Sequence, residues 1–374
     1  MTGHAFLAPS AAGRWGPGGC HASPGMEAQY PNVDSEAALE GTTAHAVVAG
    51  ALLTVPLALG HVVAETGVAV TAEMLECATD FVKDVRDTQK AAGDAGVFVE
   101  NTLPAAFNEH NWGTPDAYVL DHANRKLHLW DYKFGHRYVD AFMNWQMVNY
   151  LALILAHHKI ERNQWRDWFF TVTVFQPRNF HPGGPFREWH FAGDKLLPLV
   201  DALSAAAAES VKSDALLKTG EHCRDCRARA GCPALQKAAL SAVDVSLEPH
   251  RVDLDPAALG LELTILKEAE KRLKARVTGL EEQALETLRR RIDVPLWTAD
   301  YSNGRTRWSQ SPAEIFALGD LLGVDLRKPV EPVTPRQAER AGIDHTVIAA
   351  YSETPRGVMA LVPVDQTFIS KRFS

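Results

Sequence analysis

The chain has 374 residues, 46% of them hydrophobic and 22% charged, which suffices for a globular fold with a sizeable buried core, as one large domain or a core with an appended domain. Its net charge of −8 argues against coating nucleic acid by bulk electrostatics, although phosphate contacts need only a local basic groove. No apolar run reaches the roughly 18 residues of a membrane span, and no basic segment followed by an apolar one opens the chain, so no membrane association and a cytosolic location are expected.

Residues 1–34 are rich in Gly, Pro and Ala and read as irregular, with Trp15 and Cys20 as anchor points. From Ser35 a helical period sets in, placing Ala38, Thr42 and His45 at spacings of three and four. A second helix is predicted over 71–91, where Met74, Leu75, Ala78, Phe81, Val82 and Val85 form one stripe that also carries Cys77, expected to be buried and inert. The period then shortens. Segments 96–102, 116–121, 126–133 and 168–176 read as strands, with residues 122–125 as a hairpin turn between the middle two. Helices are predicted over 141–158 and 192–217. Together these suggest a small mixed sheet flanked by helices. A long helix over 255–291 carries a near-heptad stripe of Leu259, Leu263, Leu266, Leu273, Val277, Leu280, Ala284 and Leu288, which reads as packed on the body or paired with another helix. A DNA-tracking polar face with Lys267, Lys271 and Lys274 is the alternative. The remainder, 294–374, alternates short strand-like and helical pieces.

The segment GTPDAYVLDHANRKLHLWDYKFG, residues 113–135, carries the chemistry. Residues two apart on a strand share a face, so Asp131 and Lys133 project together with Leu127 and Leu129. A carboxylate and an ammonium at the end of an apolar strand are costly unless paired or holding a metal. The hairpin brings Asp116 beside Asp131, so that two aspartates converge on a divalent cation with Lys133 near a reacting phosphate. Mg²⁺ and Mn²⁺ prefer oxygen ligands and activate water for phosphodiester hydrolysis. The plainer alternative is a surface Asp–Lys pair and an unrelated turn aspartate.

Five cysteines are present, and Cys223, Cys226 and Cys232, followed by Pro233, form a compact thiolate cluster. Three local thiolates need a fourth ligand, which His222 or the distant Cys20 can supply, around structural Zn²⁺ or an iron–sulfur centre.

GTPD followed by DYKFG resembles the second and third motifs of RecB-like nucleases of the PD-(D/E)xK superfamily. Two further features match in order: Glu40-Gly41-Thr42-Thr43-Ala44-His45 resembles the first, helical motif, and Gln146 with Tyr150 resembles the Q-x-x-x-Y that follows the third. One distant cysteine plus a C-terminal triplet resembles the iron–sulfur nucleases related to RecB, including AddB and the CRISPR-associated RecB-like enzymes. The resemblance implies an α/β PD-(D/E)xK restriction-endonuclease-like core with a helical iron–sulfur portion and a C-terminal extension. It divides the chain into residues 1–34 with the first cluster cysteine, a nuclease core at 35–220, a cysteine region at 221–240, and an extension at 241–374. It further implies His45, Asp116, Asp131 and the Tyr132 carbonyl as ligands of Mg²⁺ or Mn²⁺. Asp116, Asp131 and Lys133 would be catalytic, with Gln146 and Tyr150 positioning the site. Cys20, Cys223, Cys226 and Cys232 would bind a [4Fe–4S] cluster, with structural Zn²⁺ as the alternative. Asp131 departs from the Glu found in many relatives, and Glu100 is a further candidate carboxylate.

The expected function is metal-dependent DNA hydrolysis, exonucleolytic by resemblance, in phage-type recombination or repair in a bacterial or phage-infected cell. DNA is the expected partner, with a single-strand annealing protein and self-association as further candidates. The rival is a non-cleaving DNA-binding scaffold that keeps the nuclease fold. No Walker A pattern is present, so no helicase motor is expected.

Overall fold

The computed structural model describes residues 5–299 except 33, 180, 182 and 247–254, together with 313, 314, 317, 320, 321 and 344–352. It separates into two units, residues 1–297 and 298–374. In the second, His345–Tyr351 forms a helix capped by Asp344, whose side chain accepts from the Thr346 amide at 2.8 Å. Most of the expected pieces between 294 and 374 lie outside the described residues.

The first unit is mixed α/β. Five strands, β1 (Val97–Val99), β2 (Ala117–Asp121), β3 (Lys126–Tyr132), β4 (Phe169–Phe175) and β5 (Phe186–Ala192), form one sheet in sequential order. Only the β3–β4 pair is parallel. The β2–β3 hairpin closes over the predicted turn: Asp121 accepts from the Asn124 amide at 3.0 Å and from its side chain at 2.7 Å. These bonds stabilise a turn that takes Arg125 to φ 52°.

Helices cover both sheet faces. Leu127 and Leu129 of β3 join a core with α5 (Trp145–His157) and α6 (Gly193–Ser210), while Trp130 and Tyr132, pointing the other way, pack on α3 (Glu36–Leu52) and α4 (Ala72–Ala91). Three of these helices begin where sequence-encoded caps satisfy orphan amides. Ser35 accepts from Ala38, Thr71 from Met74 and Asn144 from Gln146. Cys77 is buried on the α4 stripe.

Three expectations need correction. Residues 5–32 are not merely irregular: α1 (Ala12–Trp15) and α2 (Ser23–Glu27) form, and Leu7 and Trp15 are fully buried in the main core. Their sequence lacks periodicity because each helix is a single turn held by tertiary contacts. Strand β5 was not anticipated, although Arg187, Trp189 and Phe191 alternate inward with exposed Glu188 and His190. Finally, α8 (Pro256–Arg289) pairs with another helix, as one of the two expected readings had it, but most of its leucine stripe stays uncovered. Leu259, Leu263, Leu266, Val277 and Leu280 are exposed, and the helix contacts the cysteine region instead through Ala275 and Gly279. A Cβ on Gly279 would come within 2.8 Å of the Ala230 amide, so glycine permits that approach. The helix α7 (Pro233–Ser246) packs beside it.

Candidate metal and phosphodiester site

The hairpin register pairs Ala117 with Trp130, and one step further sets Asp116 opposite Asp131 at the end of the strands. The Asp116 carboxylate is held from two sides: His45 of α3 meets Oδ1 at 3.0 Å, and the Tyr132 amide donates to Oδ2 at 2.6 Å. Three residues earlier, Gly113 lets Pro9 and Tyr150 close on the backbone, because a Cβ there would lie 2.7 Å from Pro9 and 3.1 Å from the Tyr150 ring. Tyr150 is buried, and its hydroxyl donates to the Thr114 carbonyl at 3.0 Å, fixing the backbone that leads into Asp116.

Asp131 and Lys133 share the predicted face. The Lys133 ammonium lies 2.9 Å from Asp131 Oδ1 and donates to Gln146 Oε1 at 3.3 Å, while Gln146 Nε2 donates to the same Asp131 oxygen at 2.8 Å. All the donors converge on Oδ1. Oδ2 is buried without a hydrogen-bond partner, which is costly for a carboxylate oxygen unless something else binds it.

Glu100 completes the group. One ligand atom each from His45, Glu100 and Asp116 lies within 4.8 Å of the other two. The Glu100 amide donates to the Asp116 carbonyl at 3.1 Å, and its φ of 45° places a non-glycine residue in the left-handed region, a strain that turns its side chain toward the site. Burial opposes charge on His45, but Asp116 beside it overrides this and raises its pKa. Asp116 is correspondingly held below the usual carboxylate range despite burial. Burial pushes Asp131 up. Lys133 is kept charged against burial by Asp131 and Asp116. Desolvation and then repulsion from Asp116 push Glu100 up to about 7, although solvent screens part of this because the residue is exposed.

The structure therefore brings His45, Asp116, Asp131, Tyr132, Lys133, Gln146 and Tyr150 together and adds Glu100. Sequence reading missed Arg178, which donates to both Glu40 and Glu73 at 2.8–3.1 Å and lies 4.1 Å over the Phe134 ring. It ties the helix of His45 to α4 and to the segment after Lys133. An isolated arginine after a strand carries no pattern that would have marked it.

The four expected cysteines, Cys20, Cys223, Cys226 and Cys232, line one pocket with Met26, Leu217 and Leu235. The Lys218 amide donates to the Cys20 sulfur and the Gly220 amide to the Cys223 sulfur, both at 3.4 Å. Burial raises the pKa of Cys20 and Cys223 and pushes Cys226 up to about 12. His222 also lines the pocket, but its Nε2 contacts the Lys218 carbonyl at 2.8 Å.

Among the described residues no helix is long and apolar enough to cross a membrane. No curated protein matches the sequence. Among solved structures, the chain is similar to a candidate exonuclease from Eubacterium rectale, at 10% identity over 55% of this chain and 82% of that one, with a TM-score of 0.33. The model of the family described as "Protein of unknown function (DUF2800)" matches residues 4–318, and the chain belongs to that family.

Proposed function

We propose that the protein is a Mg²⁺- or Mn²⁺-dependent deoxyribonuclease of the RecB-like PD-(D/E)xK type, acting as an exonuclease in phage-type recombination or repair. The observation that carries this reading is the convergence of His45, Glu100 and Asp116 beside a buried Asp131 oxygen that has no donor, with Lys133 on the same face. One nitrogen and several carboxylate oxygens suit a hard divalent cation. The Tyr132 carbonyl is a further candidate ligand. When bound, such an ion would polarise the scissile phosphate and make water a nucleophile near neutral pH.

The chain's own groups perform the rest. Gln146 and Lys133 share Asp131 Oδ1 and so leave Oδ2 free for a ligand. Lys133 places a fixed positive charge where negative charge develops on the phosphate, and can orient the attacking water. The Tyr132 amide and His45 hold Asp116 in one rotamer, and Tyr150 holds the backbone before it. DNA is the proposed substrate, and a single-strand annealing protein the proposed recombination partner, by likeness of motif order alone.

The cysteines we assign to a [4Fe–4S] cluster. Support comes from four thiols lining one pocket, Cys20 and Cys223 buried and Cys226 and Cys232 half-buried, with amide donors to two sulfurs of the kind that stabilise bound thiolate. Such thiolates fit a reducing compartment, in line with a cytosolic location.

The test is digestion of end-labelled linear and closed circular DNA with Mg²⁺ or Mn²⁺, using anaerobically purified protein beside Lys133→Ala. Loss of linear DNA alone, absent in the variant, is expected. A folded, brown, metal-replete protein that binds DNA and never cleaves it would overturn the enzyme reading in favour of a scaffold.

A further inference from the structure

Arg187 on β5 is only 7% exposed. Its Nη2 donates to Asn179 Oδ1 at 2.7 Å and its guanidinium lies 4.5 Å over the Tyr138 ring, while Nε and Nη1 are buried without a hydrogen-bond partner. Among the described residues, no carboxylate forms an ion pair with it. Stacking on Tyr138 accounts for a flat side chain in that position, but leaves the charge unexplained. A buried guanidinium with most of its N–H groups unmet is an expensive arrangement, and its fixed fork matches phosphate oxygens.

Its place in the sheet says which phosphate. Asp131 pairs with Val174, and Val174 with Arg187, so the three side chains share one face in a single row across the strands. Val174, Trp189 and Phe191 belong to the core under α5, which confirms that face. Two strand spacings put Arg187 about 10 Å from Asp131, within about three nucleotides along a DNA strand that rises about 3.4 Å for each. The segment after Lys133 runs between them. Gln176 donates to the carbonyls of Gly135 and Arg137, Asn179 donates to His136, and Tyr138 covers the guanidinium.

We propose that Arg187 is a phosphate-binding site, taking a non-bridging oxygen of the DNA strand beside the scissile phosphate, with Tyr138 as the cover that the strand displaces. This rests on the nuclease reading above for the identity of the strand.

The experiment measures binding in Ca²⁺ without Mg²⁺, so it does not depend on cleavage. Wild type, Arg187→Gln and Arg187→Lys are titrated with a fluorescent duplex bearing a single-stranded end, at several salt concentrations, with melting curves to verify folding. Arg187→Gln should bind roughly tenfold more weakly, and its plot of log K against log salt should be shallower by about one unit. Arg187→Lys keeps the charge and should keep the slope. Neutral methylphosphonates placed one and two positions from the end should reduce wild-type affinity to that of Arg187→Gln and leave the variant unchanged. Equal slopes and affinities in wild type and Arg187→Gln would overturn the proposal, as would failure of the wild type to bind DNA. Should Arg187→Gln not fold, the wild type decides alone: weaker binding of the methylphosphonate DNA than of the all-phosphate DNA supports the proposal, and equal binding overturns it. The two readings fail separately. Binding that follows this pattern without any cleavage in Mg²⁺ removes the nuclease and keeps the phosphate site, whereas equal binding with cleavage does the reverse.

Discussion

The Tyr132 amide donates to Asp116 Oδ2 at 2.6 Å, so one hairpin strand orients the carboxylate of the other. This bond sits where the ladder ends, and it turns a turn aspartate into a rigid group facing His45. Asp116→Asn keeps the size of the side chain but removes the charge and can present its NH₂ to the Tyr132 amide. Cleavage is expected to fall by at least about a hundredfold, in line with loss of one preorganised electrostatic group, with little change in far-UV circular dichroism. Steady-state digestion of labelled DNA checks it, and near-wild-type turnover would contradict the role given to Asp116.

Metal binding should depend on pH through Glu100. Its carboxyl, raised to about 7, must lose its proton to act as a ligand. Affinity for Mn²⁺ should therefore rise as pH increases through 7, with proton release that Glu100→Gln abolishes. Calorimetry in two buffers of different ionisation enthalpy measures that release. The sign for stability is opposite to that of a salt-bridged acid. The folded form holds its proton up to about 7 and the unfolded form only to about 4.5, so the metal-free protein loses stability from this group as pH climbs between those values.

The cysteine cluster joins Cys20 to residues some 200 positions later. Any single Cys→Ser change among Cys20, Cys223, Cys226 and Cys232 should lower bound iron and the visible absorbance. It should also destabilise the fold by about 3–5 kcal/mol if the cross-link behaves like other long-loop closures. Cys77→Ser, buried on α4 away from the pocket, should leave the iron unchanged. Elemental content of one zinc and no iron in the anaerobic protein would instead favour the zinc alternative.

Arg178 holds Glu40 and Glu73 in one grip above Phe134. Because both carboxylates are partly exposed, Arg178→Ala should cost about 1–2 kcal/mol, from the lost stacking and the ion-pair network. Urea denaturation measures this. Metal affinity should fall as well, since α3 carries both Glu40 and His45, whereas Arg125→Ala, which breaks an exposed pair with Asp167, should change neither.

Several features of this protein follow from local sequence. The helix caps, the 122–125 turn and the shared face of Asp131 and Lys133 depend on neighbours within a few residues, and the strand and helix periods locate them. Motif order went further and named His45 and Asp116 together, which meet in the structure across 71 residues of sequence. Other features were decided only by tertiary structure. The structure of residues 5–32 depends on Leu7 and Trp15 joining the core with α5 and α6, a burial that no periodicity announces. Glu100 joins the site because a left-handed residue breaks the strand and redirects one side chain, which alternation cannot encode. The α8 stripe shows the converse: a leucine repeat specifies that a helix has an apolar side, but the close approach at Ala275 and Gly279 decided which side met the body. Arg187 became visible only when three strands lined up, because cross-strand rows are set by register, and register is a property of the assembled sheet.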